Sequence, residues 1–369
     1  MNSFKEEQEK WEKDNLLEKA KKSSEAKRWK QDKLDPYRTD YQRDIGRILY
    51  SDAFRRLRMK TQVFSASGQN QHDRTRLTHT IEVAQIAKSI ARPLRLNTDL
   101  TEAIAYGHDL GHTPFGHAGE SALQKCLEGK GTFNHNVQGV WLVRTTLSKR
   151  RDINGKLYPG FNLTHDVVEG IWKHTDYKNT VTEYEELKNY HPDNPSSLEG
   201  QVVDIADGIA YLMHDIPDGV RNRLLSYSEV EEVWKQNTDV TFDKYHWGYY
   251  FIYDVINSSN GKDEIKFSPP VKALFKKIKE LVKENVIKSE YVKKMDKRGK
   301  EIVATIFEYC MNDPEYVLSK FTEKNVYVLN KYGLERVIVD YIQWLGDENA
   351  YQIYKNIVNS DVSFEEFFK

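Results

Sequence analysis

Apolar residues recur at the spacing of an α-helix along most of the chain. Five of them between Thr75 and Leu94 would share one face of such a helix: Ile81, Ala84, Ile86, Ala87 and Ile90. The same spacing predicts further helices over residues 44–64, 99–108, 118–127, 136–147, 164–174 and 198–216. We therefore predict a mostly α-helical protein.

Breaks in this pattern divide the chain. The first thirty residues alternate charges with a few apolar side chains, which is typical of a solvated helix with a narrow apolar face. This helix is expected to end before Pro36. A tight turn is predicted at Asn154-Gly155, and a polar loop with prolines at residues 189–197. We predict three parts: a charged N-terminal helical segment at 1–33, a core at 34–225, and a lysine-rich C-terminal helical region at 226–369 that packs on the core.

Composition narrows the classes of function. The 369 residues include 55 Lys and Arg against 56 Asp and Glu, so no overall field favours nucleic acid or a membrane surface. Cys126 and Cys310 are too few for a disulfide scaffold or a thiolate metal site. No stretch approaches the roughly 20 apolar residues of a membrane span, and the N-terminus lacks the apolar core of a signal peptide. We expect a soluble, cytoplasmic protein without a membrane partner.

Histidines and carboxylates concentrate in one short stretch. GHDLGHTPFGHAGE, residues 107–120, contains three of the eleven histidines together with one Asp and one Glu. His108 and Asp109 end an apolar helix, and Asp207 interrupts another, where an unpartnered charge is costly. With His79 they supply two imidazoles and two carboxylates, a mixture that suits Mn, Fe, Co, Ni, Zn or Mg without selecting one. Each residue taken alone is also explained by a structural role.

Longer motifs carry a specific resemblance. They are YQRDIGRILYSDAFRRLRMKTQVF, TRLTHTIEVAQIAKSIA, AIAYGHDLGHTPFGHAGE, FNHNVQG, SLEGQVVDIADGIAYLMHDIPDG and RVIVDYI. On these motifs the chain resembles the HD-domain deoxynucleoside triphosphate triphosphohydrolases, the dGTPase-like family, over nearly all of its length after the first thirty residues. The resemblance implies a helical HD-domain phosphohydrolase core with a C-terminal helical extension.

The resemblance also implies the reactive residues. The family's metal ligands, for Mn, Mg, Fe or Co, fall on His79, His108, Asp109 and Asp207. The residues beside the scissile bond fall on His112, His117, Glu120 and His135. His117 and Glu120 are three positions apart, so on a helix the carboxylate can orient the imidazole as a base for water. His112 and His135 would donate to phosphate oxygens or protonate the leaving oxygen; the alternatives are a supporting role or a second ion.

Substrate contacts follow from the same resemblance. The substrate-binding candidates are Gln62, Arg76, Lys173, Tyr211 and Asp215. Arg76 matches a phosphate-contacting arginine, and Lys173 with His174 is a weaker phosphate candidate. Tyr211 would pack beneath the sugar, while Gln62 and Asp215 would hydrogen-bond its 3′-hydroxyl. The basic cluster that precedes Gln62 is interpreted as structural or as a subunit contact: Arg55, Arg56, Arg58 and Lys60.

The resemblance thus implies an enzyme that hydrolyses a deoxynucleoside triphosphate, with dGTP expected, at the α-phosphorus to a deoxynucleoside and inorganic triphosphate. The resemblance implies a homo-oligomer and, in some members, a nucleotide effector. Two alternatives stay open: an HD phosphohydrolase acting on a monophosphate, cyclic nucleotide or alarmone, and a nucleotide-sensing protein whose lysine-rich helices at 272–300 bind single-stranded nucleic acid weakly. Residues 343–347 read Gln-Trp-Leu-Gly-Asp where the family often has Ala-Gly-Met-Thr-Asp, which leaves open what the C-terminal region recognises.

Overall fold

A computed structural model of the protein describes residues 3–62, 74–145, 151–174, 196–320 and 323–368. Within these ranges the chain folds into α-helices joined by turns, and the only β-type pairing there is three isolated bridges. The predicted mostly α-helical fold is therefore confirmed. No helix in the same ranges is both long and apolar enough to cross a membrane.

The helices are numbered in chain order. The first group is α1 (Phe4–Asn15), α2 (Asp40–Leu49), α3 (Asp52–Arg56), α4 (Arg76–Ala91), α5 (Thr98–Gly107), α6 (Gly116–Cys126), α7 (His135–Thr145), α8 (His165–Trp172) and α9 (Leu198–Arg221). The second group is α10 (Tyr227–Lys235), α11 (Trp247–Ser259), α12 (Pro269–Val282), α13 (Glu290–Asn312), α14 (Pro314–Leu318), α15 (Glu323–Trp344), α16 (Asp347–Ile357) and α17 (Phe364–Phe368).

Helices α4, α5 and α9 form the centre of the core. Helix α4 packs against both of the others, and α5 also packs on α2 and α8. The apolar face predicted for α4 is confirmed at Ala84, Ile86, Ala87 and Ile90, which are buried. It is wrong at Ile81, which is 50% exposed. That position lies on the opposite side of the helix from the contact with α5 and α9, so a single large apolar residue remains in water there.

The single helix predicted over residues 44–64 is wrong. Helix α2 begins earlier, where the Thr39 side chain accepts a hydrogen bond from the Gln42 amide, and it ends at Leu49. The Ser51 hydroxyl then accepts from the Phe54 amide and starts α3 as a separate helix. An N-cap serine within an apolar pattern therefore divides one predicted helix into two.

The N-terminal segment also differs from the prediction, because α1 ends at Asn15 and Leu16 is extended. The buried Glu12 carboxylate accepts hydrogen bonds from both the amide and the hydroxyl of Ser23, which turns the chain back on itself. Farther along, the Arg28 guanidinium donates to Asp44 and to the Asn162 carbonyl. Residues after α1 thus bind the core through polar contacts instead of continuing as a solvated helix.

The turn predicted at Asn154-Gly155 is confirmed. Gly155 adopts a φ of 79°, a conformation that glycine takes without strain. The Asp152 carboxylate accepts from the Asn154 and Lys156 amides. The predicted helix 136–147 corresponds to α7, and Leu147 lies outside the described residues, as does most of the predicted loop 189–197.

The C-terminal extension packs on the core, principally through α13 against α6. The contact is close at Gly299, where a Cβ atom would lie 2.8 Å from the Cβ of Phe115. Phe115 belongs to the GHTPFG turn, so the extension touches the histidine-rich segment directly. The boundaries predicted at residues 33/34 and 225/226 stay predictions.

Candidate active site

Three central helices bring one imidazole and carboxylate cluster together, which we call the HHDD cluster: His79, His108, Asp109 and Asp207. His79 lies on α4, His108 and Asp109 follow the end of α5, and Asp207 lies on α9. His79 Nε2 is 2.9 Å from Asp207 Oδ1 and 4.0 Å from Asp109 Oδ2. His108 Nε2 is 3.6 Å from Asp109 Oδ1 and 3.8 Å from Asp207 Oδ1. The ligand atoms of His79, His108 and Asp109 thus lie close enough together to share one ion, and Asp207 lies beside both imidazoles.

The orientation of His108 is determined by its backbone. Its Nδ1 lies 2.6 Å from the Ala105 carbonyl oxygen, a contact that requires a proton on Nδ1. Nε2 then carries a lone pair, and this nitrogen is buried without a hydrogen-bond partner. A buried polar atom left unpaired costs about 1–3 kcal/mol, so the lone pair is suited to an electrophile.

Charges stabilise the carboxylates of the HHDD cluster in ionised form. Burial opposes ionisation of Asp109, but the Arg76 guanidinium, whose Nη1 is 2.8 Å from Asp109 Oδ2, holds the pKa of Asp109 well below its usual value. For Asp207 burial again acts to raise the pKa, but the hydrogen bond and charge of His79 together with the charge of His108 lower the pKa below its usual value. Both side chains are therefore acceptors at neutral pH.

A second cluster, which we call the HHEH cluster, consists of His112, His117, Glu120 and His135. Glu120 Oε2 lies 3.3 Å from His117 Nδ1 and 3.0 Å from His135 Nδ1, and Glu120 Oε1 accepts from the His135 amide. Burial acts to raise the pKa of Glu120, but the hydrogen bonds from the two imidazoles lower it below its usual range. One carboxylate therefore orients two imidazoles, where the sequence predicted only the His117 pair.

His112 joins the two clusters. Its Nε2 is 3.0 Å from Asp109 Oδ1, and its ring stacks on that of His135 with 4.0 Å between centroids. Burial, with Arg76 and His135 nearby, lowers the pKa of His112 well below its usual value, so the ring is neutral. His117 differs from both neighbours because its side chain is 76% exposed. It is the imidazole of this cluster that faces solvent.

The GHTPFG turn requires an unusual backbone. Phe115 and Gly116 both have positive φ, 60° and 54°. At Gly116 a Cβ atom would lie 2.8 Å from Arg76 Nη2, so glycine allows the guanidinium to approach. Gly111 is equally constrained by space, since a Cβ atom there would lie 2.0 Å from the His135 carbonyl oxygen. These glycines permit the two clusters to lie side by side.

The predicted substrate-binding residues differ in their burial and in their partners. Arg76 is buried and paired with Asp109. The Oε1 atom of Gln62 is buried without a partner. Tyr211 follows Asp207 by one turn of α9; burial and the nearby Asp215 carboxylate raise the pKa of Tyr211 well above its usual value. Asp215 is buried.

The two phosphate candidates after α8 have structural partners. Lys173 is buried, and its Nζ donates to the Glu169 carboxylate one turn earlier. His174 donates from Nδ1 to the Ile171 carbonyl, 2.8 Å away, and its ring touches those of His108 and His135. Burial lowers the pKa of His174 to about 3. His174 thus lies between the two clusters as a neutral imidazole.

The structural interpretation of Lys60 agrees with its contacts, because Lys60 is buried and donates to the carbonyls of His112 and Gln343, both 2.6 Å away. Two other residues that hold the site were missed by sequence reasoning. Asp347, noted only as part of a departure from the family motif, accepts from the Thr61 and Phe115 amides. His214 contacts His79 and was not considered. No local pattern signals these contacts, because the partners are far apart in the chain.

Two family models match parts of the chain. An HD domain matches residues 76–212 and a phosphohydrolase-associated domain matches residues 265–356. A deoxyguanosinetriphosphate triphosphohydrolase-like protein of Caldanaerobacter subterraneus subsp. tengcongensis is 40% identical over 94% of this chain and 93% of its own length. A protein of the same description from Bartonella tribocorum is 35% identical over 88% of this chain and 91% of its own. A solved structure of a hypothetical protein from Aquifex aeolicus covers 90% of this chain and 75% of that one, with 15% identity and a TM-score of 0.42.

Proposed function

The chain belongs to the deoxyguanosinetriphosphate triphosphohydrolase-like family of HD-domain phosphohydrolases, and from this premise we propose that it hydrolyses deoxynucleoside triphosphates, dGTP among them, at the α-phosphorus. Water oxygen forms a bond to the α-phosphorus, the bond from that phosphorus to the 5′ oxygen breaks, and a proton reaches the 5′ oxygen. The products are a deoxynucleoside and inorganic triphosphate.

The HHDD cluster fits a divalent cation. His108 Nε2 is buried with an unused lone pair, and His79 Nε2 and Asp207 Oδ1 are 2.9 Å apart, close to the roughly 3 Å between two adjacent ligands that each lie about 2.1 Å from an ion. Two imidazoles and two carboxylates suit Mn, Fe, Co or Mg and do not select one. A divalent cation bound there would lower the pKa of water and polarise the phosphoryl group.

The HHEH cluster would transfer protons during the reaction. Glu120 accepts a hydrogen bond from Nδ1 of His117. The Nε2 atom of that exposed imidazole is therefore available to exchange a proton with water or with the leaving oxygen. The ionised Glu120 also stabilises the imidazolium form of His117 while the proton is held. His135, oriented by the same carboxylate, is the second candidate for this exchange.

His112 has a different role in this proposal. With a proton on Nε2 donated to Asp109, its Nδ1 carries a lone pair and cannot donate to a phosphate. We therefore propose that His112 holds Asp109 in place instead of contacting the leaving group. Its neutral state fits this task, because a second positive charge beside Arg76 would be unfavourable.

Recognition of the sugar and the phosphates falls on residues around the HHDD cluster. Tyr211 is one turn after Asp207 and would pack beneath the deoxyribose, where a ring leaves no room for a 2′-hydroxyl. Gln62 Oε1 and Asp215 Oδ2, both buried without partners, would bind the 3′-hydroxyl. Arg76 Nε, also unpartnered, would serve a phosphate oxygen, and Lys173 stays a candidate for a second one.

The observation that carries this proposal is the adjacency of the two clusters through His112, within a chain of this family. Product identification tests it. Purified protein is incubated with dGTP and Mn or Mg in ¹⁸O-labelled water, and deoxyguanosine with ¹⁸O-labelled triphosphate is expected. Pyrophosphate with dGMP would contradict cleavage of the bond to the 5′ oxygen, and label in the nucleoside would contradict attack at the α-phosphorus. The Asp207→Ala variant, prepared in parallel, controls for contaminating phosphatases.

A substrate panel separates the alternatives. Each of the four deoxynucleoside triphosphates is supplied alone and in mixtures, beside GTP, dGMP, a cyclic nucleotide and a guanosine alarmone. Turnover confined to deoxynucleoside triphosphates supports the proposal, and stimulation only in mixtures would support the predicted nucleotide effector. A homo-oligomer and weak binding of single-stranded nucleic acid stay predictions.

A further inference from the structure

His214 lies behind the HHDD cluster, in contact with one of its imidazoles. The ring is 1% exposed, on α9. Its Nε2 is 2.9 Å from His79 Nδ1, and its Nδ1 is 2.8 Å from Asp215 Oδ1. The rings of His79 and His214 are nearly perpendicular, at 85°, and Tyr211 packs edge-on against His214. A continuous chain of two hydrogen bonds therefore runs from Asp215 to His79.

The Asp215 carboxylate determines the direction of both hydrogen bonds. An ionised Asp215 only accepts, so His214 must carry its proton on Nδ1. A neutral His214 then offers a lone pair at Nε2, which accepts the Nδ1 proton of His79. His79 Nε2 also lies within hydrogen-bond distance of Asp207, and a cation that replaces the proton between them would bind the lone pair of Nε2 while Nδ1 keeps its proton toward His214.

We infer that His214 is a positioning residue that holds the ring and the tautomer of His79 ready for a divalent cation. This inference rests on the proposed function, because it requires a cation at the HHDD cluster. A histidine ligand whose other ring nitrogen is held by a hydrogen-bond acceptor is oriented and made more basic, and loss of such a partner typically lowers metal affinity 10- to 100-fold. Here a second imidazole supplies that acceptor and Asp215 orients it in turn.

The two carboxylate oxygens of Asp215 have different partners in this arrangement. Oδ1 is engaged by His214, whereas Oδ2 is buried without a partner and remains for the sugar. The Asp215 carboxylate would thereby contact both the substrate and His214, which holds a ligand of the cation. His214 itself reaches no substrate atom in this arrangement, so its effect on turnover is indirect.

Direct measurement of Mn binding tests the inference. The cation-free protein is titrated with Mn and free Mn is followed by electron paramagnetic resonance. His214→Phe keeps the ring volume and removes both nitrogens, and we expect its Mn dissociation constant to rise by about 10- to 100-fold. His214→Gln retains an acceptor and a donor, and we expect it to stay within about threefold of the unsubstituted protein.

His246 provides a matched control. It forms the same kind of pair, with Nδ1 2.7 Å from Asp243 Oδ2, but at the surface. His246→Phe should leave Mn affinity unchanged. A folded His214→Phe protein that binds Mn within twofold of the unsubstituted protein would overturn the inference. The proposed function fails differently, by unchanged Mn affinity in Asp207→Ala or by no Mn binding in the unsubstituted protein.

A crystal structure with Mn bound to the unsubstituted protein decides the case if His214→Phe does not fold. We expect Mn on His79 Nε2 with His79 Nδ1 within 3.2 Å of His214 Nε2, the usual limit of an N–H···N contact. Coordination through His79 Nδ1, or separation of the two rings, would overturn the inference.

Discussion

Seven imidazoles form one connected set of ring contacts within the described residues: His79, His108, His112, His117, His135, His174 and His214. The chain has eleven histidines, so most of its imidazoles serve a single region. Their environments differ strongly, however. His117 is exposed and paired with Glu120, while burial lowers the pKa of His112 and His174. Different tasks follow for residues of the same type.

Two substitutions separate cation binding from proton transfer. Asp207→Ala removes a carboxylate of the HHDD cluster, and we expect loss of both bound metal and turnover. His117→Ala leaves that cluster intact, so metal content should be retained while kcat falls by about a hundredfold or more, the usual contribution of general acid–base catalysis. Metal content by atomic emission and kcat with dGTP measure the two effects. Equal loss of metal in both variants would contradict the division of roles.

Glu199 provides a pH-dependent contribution to stability away from the two clusters. Burial raises the pKa of Glu199 to about 7, from about 4.5 in the unfolded chain, although its Oε1 accepts from the Lys21 and Asn97 amides. Below pH 4.5 the side chain is protonated in both states and costs nothing. Between about pH 4.5 and 7 the unfolded chain ionises while the folded protein keeps the proton, so the free energy of unfolding falls by about 3 kcal/mol in total and stays at that lower level above pH 7. Stability from this residue is thus lost with rising pH.

Glu199→Gln should remove this pH dependence. The amide oxygen can still accept from both backbone amides, and no charge forms at any pH. We expect the Tm difference, variant minus unsubstituted protein, to become more positive between pH 5 and pH 8. Thermal unfolding followed by circular dichroism at several pH values measures it. A difference that is constant with pH would show that Glu199 does not titrate in this range.

At the scale of elements, α15 and α16 hold the GHTPFG turn. Lys60 Nζ joins the His112 and Gln343 carbonyls, and the Gln343 side chain donates to the Leu110 carbonyl. Burial lowers the pKa of Lys60 to about 7. The Asp347 carboxylate accepts from Thr61 through one oxygen and from the Phe115 amide through the other. The C-terminal extension thereby helps to hold the GHTPFG turn of the candidate site in place.

Asp347→Asn tests this support. Both carboxylate oxygens accept from backbone amides, and an amide side chain replaces one acceptor by a donor. One buried N–H therefore loses its partner, and we expect a decrease of about 1–3 kcal/mol in the free energy of unfolding with a clear loss of kcat. Urea unfolding and dGTP turnover measure these effects. Glu348→Gln, at the exposed neighbouring position, should change neither, and equal behaviour of the two variants would count against the contact.

For the whole molecule, cation binding should be coupled to folding, because the HHDD cluster draws its ligands from α4, α5 and α9. A ligand that binds only the folded state adds RT ln(1 + [L]/Kd), or about 2.7 kcal/mol at a hundredfold excess over Kd. We expect Mn to raise the Tm by several degrees and EDTA to reverse the rise. Asp207→Ala should show no such increase in calorimetry. A similar increase in that variant would place the stabilising ion elsewhere.

Much of this organisation is determined by local sequence. The apolar spacing predicts α4 to within one residue at its start and places His79 on it, and the apolar run of α9 carries Asp207, Tyr211 and Asp215 in order. The family motifs select the residues of both clusters. Errors arise where one polar side chain redirects the chain, as Ser51 does between α2 and α3 and Glu12 does after α1. Such contacts depend on a single hydrogen bond and leave the apolar pattern unchanged.

The sequence by itself therefore determined the helical class, the helices of the core and the residue types that the chemistry requires, since spacing and composition are local properties. Only the tertiary structure decided which partners these residues have. His214 contacts His79, and Glu120 contacts His135 as well as His117. Asp347 accepts a hydrogen bond from the backbone of Phe115, which is 232 positions away in the chain. Those pairings depend on how the helices pack in three dimensions, which no spacing along the chain encodes.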